Sequence, residues 1–300
     1  MALERSRGFA SAPVTWGVWE RATGQDDRIP SDRLLQTVAD LGFTGIELGP
    51  PGYLDADAIR ASGLALVGGF APLHLDDAEA FQVDLVEWLD PIAAALTETG
   101  RRGPVILADA GRTDGQVLAG DRLARALERV SAAAERCREH GVGAVFHHHA
   151  GTYVETPEEI AAVMDGTDVP LCFDTGHAVV GGGDPVELAR TYASRIEHLH
   201  VKDVDPVVLA RLRSGEATLE QAWGDGIFCP LGEGMVDARA VLALPELQDF
   251  DGWIVLEQDR VAVRADELPA IRAVEHANLR DLQEALTIEN RPLPSPRDPE

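Results

Sequence analysis

Histidine and carboxylate side chains follow directly after four short apolar runs in the second half of the chain. The sets are residues 147–149, Asp174 with His177, His198 with His200 and Lys202, and Glu257 with Asp259. Gathered in one place they would form a buried cluster of charge, which is costly unless the groups pair or bind a metal. Histidine and carboxylate ligands without a thiolate are typical of catalytic sites for Mn²⁺, Co²⁺, Fe²⁺ or Zn²⁺ with open positions. We therefore predict one divalent metal ion as cofactor.

The periodicity of a β-strand sorts the groups of the third set. Residues two apart point to the same face of a strand, so His198, His200 and Lys202 are expected to share the face that points into the barrel interior. His200 is expected nearest the mouth among the histidines, with Lys202 projecting into the pocket. His198 sits deeper, and we interpret it as a core or supporting group.

The first two sets follow similar rules. His147 and His149 share a face, whereas His148 points away and is the least suitable participant. In Asp174-Thr-Gly-His177, the glycine is predicted to permit a tight turn that brings His177 back towards the same ligand.

Acidic residues at other strand ends have a second explanation, because they also cap the helices that follow. This alternative fits Glu20 and Asp109 as well as a functional role does. Residues 231–237 are glycine-rich and are predicted to approach the barrel mouth closely. An equal alternative is an ordinary helix start with Asp237 as its cap.

The elements that must position these groups alternate regularly along the chain. Short apolar runs alternate with longer amphipathic ones, which predicts parallel strands joined by crossover helices. No glycine-rich phosphate loop follows any strand, so a single (β/α)₈ TIM barrel is favoured over a doubly wound sheet. Reactive groups in such barrels lie where strands end at the C-terminal face. The predicted strands are 14–19, 44–48, 65–70, 104–109, 143–147, 170–174, 196–201 and 252–257.

Capping signals mark several predicted helices. Ser31 is expected to be an N-cap, Thr156 and Glu159 form a capping-box signature, and Asp184 opens another helix. The barrel is expected to occupy residues 1–288, with an insertion of about one helix and a loop at 206–230 near its mouth. A proline-rich tail covers 289–300. The predicted helices are 31–41, 78–96, 121–140, 156–164, 184–193, 237–244 and 265–286.

Composition excludes several classes of partner. The 300 residues include 26 Lys+Arg and 51 Asp+Glu, a formal charge of −25 that repels nucleic acid and anionic membranes. Three isolated cysteines suit a reduced compartment, and neither a signal peptide nor a membrane-length apolar run is evident. We predict a cytoplasmic protein that binds a small molecule, without nucleic-acid or membrane partners.

The order of these motifs resembles the xylose-isomerase-like barrels, the sugar phosphate isomerase/epimerase superfamily, and within it the inosose dehydratases of inositol catabolism. The likeness spans nearly the whole chain, and the Asp-Thr-Gly-His and His-x-His-x-Lys-Asp blocks are its specific parts. It is carried by Thr-Trp-Gly-Val-Trp-Glu (15–20), Gly-Ile-Glu-Leu-Gly-Pro (45–50), His-His-His-Ala-Gly-Thr (147–152), Phe-Asp-Thr-Gly-His-Ala (173–178), Gly-Gly-Asp-Pro (182–185), His-Leu-His-Val-Lys-Asp (198–203) and Pro-Leu-Gly-Glu-Gly (230–234).

The resemblance implies a set of metal ligands. Members of that superfamily hold a metal with a Glu ending strand five, an Asp on six, a His on seven and a Glu on eight. The last three fall on Asp174, His200 and Glu257, whereas His147 stands at the first position. Loss of one of two opposed carboxylates weakens an epimerase reading and favours elimination. The resemblance also implies a possible homo-oligomer.

The mechanism we expect is dehydration of an inosose-like polyhydroxy ketone through an enediolate, with the metal acting as Lewis acid. A base removes the α-proton and an acid helps the β-hydroxyl leave. A lysine beside a cation is expected to have a lowered pKa. The candidate acid–base groups are Lys202 and His177, with His149 behind them, and the substrate pocket is expected to be lined by Trp19, Glu47, Tyr53 and Asp109.

Four other functions remain open from the sequence. A metal-dependent ketose isomerase or 3-epimerase would leave the product mass unchanged. A β-eliminating lyase acting on 3-keto-glycosides would need a wider pocket. An apurinic-site endonuclease shares the barrel, but the charge disfavours it. A non-catalytic sugar-binding barrel would retain its ligand after metal removal.

Overall fold

The computed structural model describes residues 8–19, 29–100 and 103–289, and Glu20 and the predicted tail beyond residue 289 lie outside them. Eight parallel strands close into a barrel in the order β1-β10-β7-β6-β5-β4-β3-β2, which confirms the predicted fold. The barrel strands are Gly8–Ser11 (β1), Gly45–Glu47 (β2), Ala65–Leu73 (β3), Val105–Asp109 (β4), Ala144–His147 (β5), Leu171–Asp174 (β6), Ile196–Val201 (β7) and Trp253–Leu256 (β10). Asp203–Val204 (β8) and Phe228–Cys229 (β9) pair antiparallel in a separate two-stranded sheet.

Helices connect the strands and bury their apolar faces against the barrel. A π-helical segment, Leu85–Leu89, joins α3 to α4 in one continuous rod, and short 3₁₀ turns cover Pro13–Trp16, Ala193–Arg195 and Pro245–Leu247. The helices are Ser31–Asp40 (α1), Ala56–Ser62 (α2), Ala78–Asp84 (α3), Asp90–Glu98 (α4), Gly120–Glu139 (α5), Pro157–Gly166 (α6), Thr175–Val180 (α7), Pro185–Tyr192 (α8), Pro206–Ser214 (α9), Leu219–Gly224 (α10), Ala238–Leu242 (α11) and Leu268–Glu289 (α12). Within the described ranges, no helix combines the length and apolar character that a membrane crossing requires.

The first strand is not where the sequence pattern put it. The prediction of a strand at 14–19 is wrong, because β1 lies earlier in the chain and pairs with both β2 and β10. Pro13 starts a 3₁₀ turn, a position that suits its fixed φ and missing N–H. The Trp16 indole then donates to Ser11 Oγ at 3.1 Å and folds the turn back over the end of β1.

The capping predictions were right at two helices and wrong at one. Thr156 and Glu159 form the complete capping box at the start of α6, and the Asp184 carboxylate caps α8. At α1 the N-cap is Pro30, which offers no side-chain cap, and Ser31 is the first residue inside the helix.

The insertion at 206–230 contains two helices, α9 and α10, rather than the single helix expected. Its second helix packs closely on the loop that follows β5. Gly151 in that loop has a φ of +77°, and a Cβ there would lie 2.6 Å from Leu219 Cδ2. The close approach holds α10 beside the ends of the barrel strands.

The interior of the barrel is divided into an apolar floor and a polar top. Ala10, Ala65, Val67 and Val255 form a buried cluster, which closes one end with small and branched side chains. Because side chains alternate along a strand, residues two positions further on point into the same interior nearer the C-terminal face. The polar residues at the strand ends are thus held above a packed core.

Candidate metal and active site

Three predicted ligands converge at the C-terminal ends of β6, β7 and β10. Asp174 ends β6, His200 lies near the end of β7, and Glu257 follows β10. Each offers one ligand atom, and these atoms lie within 4.8 Å of one another. All three side chains are buried, with at most 7% of any residue exposed.

The histidine at the centre of this group faces carboxylates on both sides. His200 Nδ1 lies 3.0 Å from Glu257 Oε2 and 3.6 Å from Asp174 Oδ2. This Nδ1 atom nevertheless has no hydrogen-bond partner in the described structure. The ligand atoms of these three side chains are therefore close enough to share one cation.

Glu47 holds His200 from the opposite side of the barrel. Its Oε1 accepts from His198 Nε2 at 2.8 Å and from His200 Nε2 at 3.0 Å. Burial raises the pKa of Glu47, but attraction to His200 and the hydrogen bonds from both histidines lower it below its usual range. Glu47 was predicted to line the substrate pocket, and it does lie in the wall of the cavity described below. Its bonds also orient the imidazole of His200, a role that spacing along the chain did not indicate.

Lys202 lies among three carboxylates, two of which belong to the predicted metal ligands. Its Nζ is 2.7 Å from Glu257 Oε2, 3.0 Å from Asp174 Oδ2 and 3.2 Å from Asp259 Oδ1. Burial lowers the pKa of Lys202, but the three carboxylates outweigh burial and raise the pKa well above its usual value. Without a bound ion, the three carboxylates therefore act in the direction opposite to the lowering of the Lys202 pKa that is expected beside a cation.

Lys202 is also the only lysine in the chain, since the other residues counted among the 26 Lys+Arg are all arginine. An arginine presents a planar five-donor fork, whereas an ammonium is a compact point charge. The single lysine is found where four partners surround its ammonium group. That the chain has only one lysine is visible in the sequence, although the spacing of the motifs does not point to it.

His177 lies behind Lys202, as the sequence predicted, but Gly176 acts differently from the prediction. His177 Nε2 is 3.2 Å from Lys202 Nζ, and its backbone N–H donates to Asp174 Oδ1 at 2.8 Å. Gly176 does not have a positive φ. A Cβ there would lie 2.6 Å from Lys202 Cβ, so glycine is required for close packing rather than for a turn.

The three consecutive histidines after β5 divide as the strand rule predicted. His147 and His149 line the cavity, whereas His148 accepts a hydrogen bond from the backbone N–H of Asp174 at 3.2 Å. His147 Nδ1 is buried without a hydrogen-bond partner in the described structure. The His149 ring lies 3.9 Å from that of His177.

His149 is held as a neutral imidazole. Its Nδ1 donates to the carbonyl of Ala150 at 2.9 Å, because a carbonyl only accepts. Burial and the nearby charge of Lys202 lower the pKa of His149 to about 4. At neutral pH its Nε2 therefore carries an available lone pair.

The charges of the described site fit a divalent cation. The pKa directions leave Glu47, Asp174 and Glu257 ionised, with His200 and Lys202 positively charged. Burial raises the pKa of Asp259 to about 6, so it is also largely ionised at neutral pH. Four carboxylates against two cations leave two buried negative charges, and a divalent ion that displaces the Nδ1 proton of His200 would reduce this excess to one.

Cys172 is the one thiol close to this cluster in the described structure. It can approach His147 and His200 within the range of a shared metal. Burial raises the pKa of the Cys172 thiol to about 11, which keeps it protonated. The donor set predicted from the sequence, imidazole and carboxylate, does not include this thiol.

A cavity of about 660 Å³ opens above these groups. The predicted site residues found in its wall are Trp19, Glu47, Asp109, His147, His149, His200, Lys202 and Glu257. Asp174 and His177 lie just behind the described wall. Tyr53 was predicted to line the pocket, and this is wrong, because its hydroxyl donates instead to the carbonyl of Ile29 at 2.7 Å.

The glycine-rich loop at 231–237 is absent from the described cavity wall, contrary to the prediction that it approaches the mouth. It wraps around Asp203, whose carboxylate accepts from the backbone N–H groups of Gly232, Gly234 and Val236 at 2.8–2.9 Å. The alternative reading is confirmed for Asp237, which caps α11.

Asp109 ties together the loops on one side of the cavity. Its carboxylate accepts from the backbone N–H groups of Gly111 at 3.0 Å, Tyr153 at 3.1 Å and Leu75 at 3.4 Å. Burial nevertheless raises the pKa of Asp109 to about 6, since only 3% of the residue is exposed.

Replacing Asp109 with asparagine is expected to flatten part of the pH dependence of stability. The raised pKa of Asp109 favours the protonated folded form, so its stabilisation is complete below the unfolded value of 3.8 and lost as pH rises through about 6. The free energy of unfolding of Asp109→Asn, taken relative to that of wild type, should therefore rise by about 2–3 kcal/mol from about pH 4 to about pH 7.5. Urea unfolding at both pH values measures this difference. An unchanged difference between the two proteins would contradict it.

Comparison with known proteins finds relatives that match along most of the chain. A family model described as the xylose isomerase-like TIM barrel matches residues 35–279. The chain is 34% identical over 272 residues to an inosose dehydratase of Geobacillus kaustophilus (strain HTA426), covering 83% of this chain and 86% of that protein. It is 33% identical over 290 residues to the rhizopine catabolism protein MocC of Rhizobium meliloti, covering 90% and 87%.

Solved structures share the fold at lower identity. The probable 3-DHS dehydratase AsbF from Bacillus anthracis superposes with a TM-score of 0.68 at 15% identity, covering 92% of this chain and 98% of that one. An L-ribulose 3-epimerase gives a TM-score of 0.69 at 18% identity, covering 95% and 96%. With the closed barrel and the family match over most of its length, this chain belongs to the xylose isomerase-like TIM barrel family.

Proposed function

We propose that this chain is a lyase that depends on a divalent metal and removes water from a keto-inositol or a related cyclic polyhydroxy ketone. The observation that carries the proposal is the buried convergence of Asp174, His200 and Glu257 beside Lys202, at the base of a cavity. The 34% identity to an inosose dehydratase over most of both chains supports dehydration as the reaction.

The general class of this enzyme follows from its family and its relatives alone. An inosose dehydratase aligns with 83% of this chain, and the family model matches residues 35–279. The chain is accordingly a sugar-processing enzyme of the xylose isomerase-like family.

We assign the metal to Asp174, His200 and Glu257, with His147 beside them at the strand-five position. The unpartnered Nδ1 atoms of His147 and His200 and the excess of buried negative charge support such an ion. A bound divalent ion would act as a Lewis acid and stabilise the negative charge that develops on the ketone oxygen.

The residues around this position can move both protons that a dehydration requires. His149 lines the cavity as a neutral imidazole and is the group we assign to accept the proton of the α-carbon. Lys202 is held as an ammonium and is the group we assign to protonate the departing β-hydroxyl. In this scheme the α C–H and β C–O bonds break, a C=C bond forms, and water leaves.

Behind these two groups, buried side chains keep the lysine in place. His177 Nε2 and Asp259 Oδ1 both lie 3.2 Å from Lys202 Nζ. His177 lies behind the cavity wall and Asp259 lies in it, and the part we assign to both is to orient the ammonium.

The test is a mass-resolved assay on keto-inositols and ketoses with protein that has been stripped of metal and reloaded. We expect the loaded enzyme to form a product lighter by one water, and the stripped enzyme to form none. A product of unchanged mass would identify an isomerase or epimerase and overturn the assignment. Turnover that survives removal of all metal, verified by elemental analysis, would remove the ion from the reaction.

A further inference from the structure

The cavity has two ends of different chemistry. Its inner end carries the ligands and the lysine described above. The outer end is formed by five apolar or aromatic side chains, which we call the outer compartment, namely Val14, Trp19, Leu219, Trp223 and Val261. Val261 leaves 46% of its surface exposed at this rim. Apolar surface of this kind is costly in water unless a ligand or partner covers it.

The outer compartment is built by two separate segments held against each other. The indoles of Trp19 and Trp223 meet edge to face with their centroids 5.8 Å apart. Trp19 Nε1 donates to the carbonyl of Arg260, which fixes that ring. Leu219 belongs to the same helix as Trp223 and packs against Gly151, which holds the helix in place. The aromatic wall is therefore preorganised.

Trp223 also retains an unused polar atom. Its Nε1 is buried and has no hydrogen-bond partner in the part of the chain that the structure describes. Buried tryptophan N–H groups ordinarily find an acceptor. The orientation of this indole is therefore fixed by packing rather than by a hydrogen bond of its own.

The cavity is also larger than a monocyclic ketone requires. Cavities of about 300–1,000 Å³ enclose ligands of drug size, and 660 Å³ lies in the middle of that range. A single polyhydroxylated ring held at the ligands would leave the outer compartment filled only with water.

We infer that the substrate carries a second group, a glycosidic ring or an aryl or alkyl ether, which binds in the outer compartment. This inference rests on the proposed function. Lys202, the acid that protonates the leaving oxygen, is only 2% exposed and lies at the inner end. The departing oxygen is therefore small, and the second group remains on the product. The reaction is still the loss of one water, without any oxidant or reductant.

The experiment compares a keto-inositol with its phenyl ether, substituted on a ring oxygen that takes no part in the elimination. We expect kcat/KM to be at least about tenfold higher for the ether, a difference that stacking on one or two aromatic rings can supply. Trp223→Ala should lower kcat/KM for the ether at least about tenfold more than for the parent ketone. Trp223→Phe should restore part of this ratio, because it keeps an aromatic face.

Trp88→Ala is the matched control, because Trp88 lies on the π-helical segment Leu85–Leu89 and does not line the cavity. It should leave the ratio of the two kcat/KM values as in wild type. A phenyl ether of inositol, which lacks the ketone, should quench tryptophan fluorescence in wild type and less in Trp223→Phe. This binding signal requires no turnover, so it reports on binding independently of the proposed dehydration.

Equal kcat/KM values for the two ketones would overturn the inference and leave the proposed dehydration intact. The same holds if Trp223→Ala or Trp223→Phe, folded by circular dichroism, changes both values by the same factor. If neither ketone reacts while the inositol ether still quenches fluorescence, the proposed dehydration is refuted, but the binding of a second group in the outer compartment is supported.

Discussion

Replacing Asp174 with asparagine is expected to lower turnover by at least about 10³-fold and to lower the metal content of the purified protein. Asp174 is fully buried, and its Oδ2 lies 3.6 Å from His200 Nδ1 and 3.0 Å from Lys202 Nζ. An amide at this position removes a charged ligand oxygen from the group that we assign to the ion. Elemental analysis and the mass-resolved assay measure the two effects.

The asparagine variant separates the loss of the ligand from the loss of the fold. Asp174 Oδ1 accepts from the backbone N–H of His177 at 2.8 Å, and an asparagine oxygen can accept the same bond. Asp184→Asn is the matched control, because Asp184 caps α8 at the surface and asparagine caps helices equally well. That control should keep wild-type metal and turnover. Stoichiometric metal with undiminished turnover in Asp174→Asn would refute the assignment.

Replacing Lys202 with methionine is expected to leave the metal bound while turnover falls by about 10²–10⁴-fold. Methionine has a similar length and no charge, so the carboxylates of Asp174 and Glu257 lose a competing cation and remain free for the ion. Retained metal with lost turnover is the pattern expected for an acid catalyst rather than a ligand. Unimpaired turnover in Lys202→Met would remove the lysine from the mechanism.

The same variant has a consequence for stability that depends on the metal. Without the ammonium, three buried carboxylates face one another, and breaking such buried pairs costs about 3–5 kcal/mol. We expect this loss in urea unfolding of the stripped variant and a smaller loss after metal is added back. Arg211→Met, which removes an exposed ion pair with Asp225, should show almost no loss in either state.

An arginine variant of Lys202 tests whether a positive charge alone is sufficient at this position. Lys202→Arg keeps the positive charge, yet we expect it to lose turnover nearly as fully as methionine does. A planar guanidinium cannot take the place of an ammonium whose Nζ lies within 3.2 Å of three carboxylate oxygens and one imidazole. Turnover restored by arginine would mean that charge alone is needed there.

The sequence by itself was enough for the architecture and for the set of side chains at the strand ends. Alternation of apolar runs with amphipathic segments predicted seven of the eight barrel strands close to their observed positions. The period of two along a strand correctly separated His148 from His147 and His149. These successes share one cause, because spacing along a strand is a local property that does not depend on the rest of the fold.

The first strand was missed for a local reason. β1 consists of Gly-Phe-Ala-Ser, whose small residues lack the apolar alternation typical of strands, whereas the stronger pattern at 14–19 is interrupted by the proline-led turn. Tyr53 was misplaced for a different reason. Its position after β2 suggested the pocket, but its hydroxyl binds the backbone of a distant segment.

Only the tertiary structure decided the electrostatics of the site. Glu47 on β2 bonds to His198 and His200 on β7, although β1 and β10 lie between those strands in the barrel. The direction of the Lys202 pKa depends on three carboxylates from two other strand ends. Distances across a barrel follow from its closure and register, which no local spacing contains. The sequence determined which groups reach the mouth, and the closed barrel determined which of them meet.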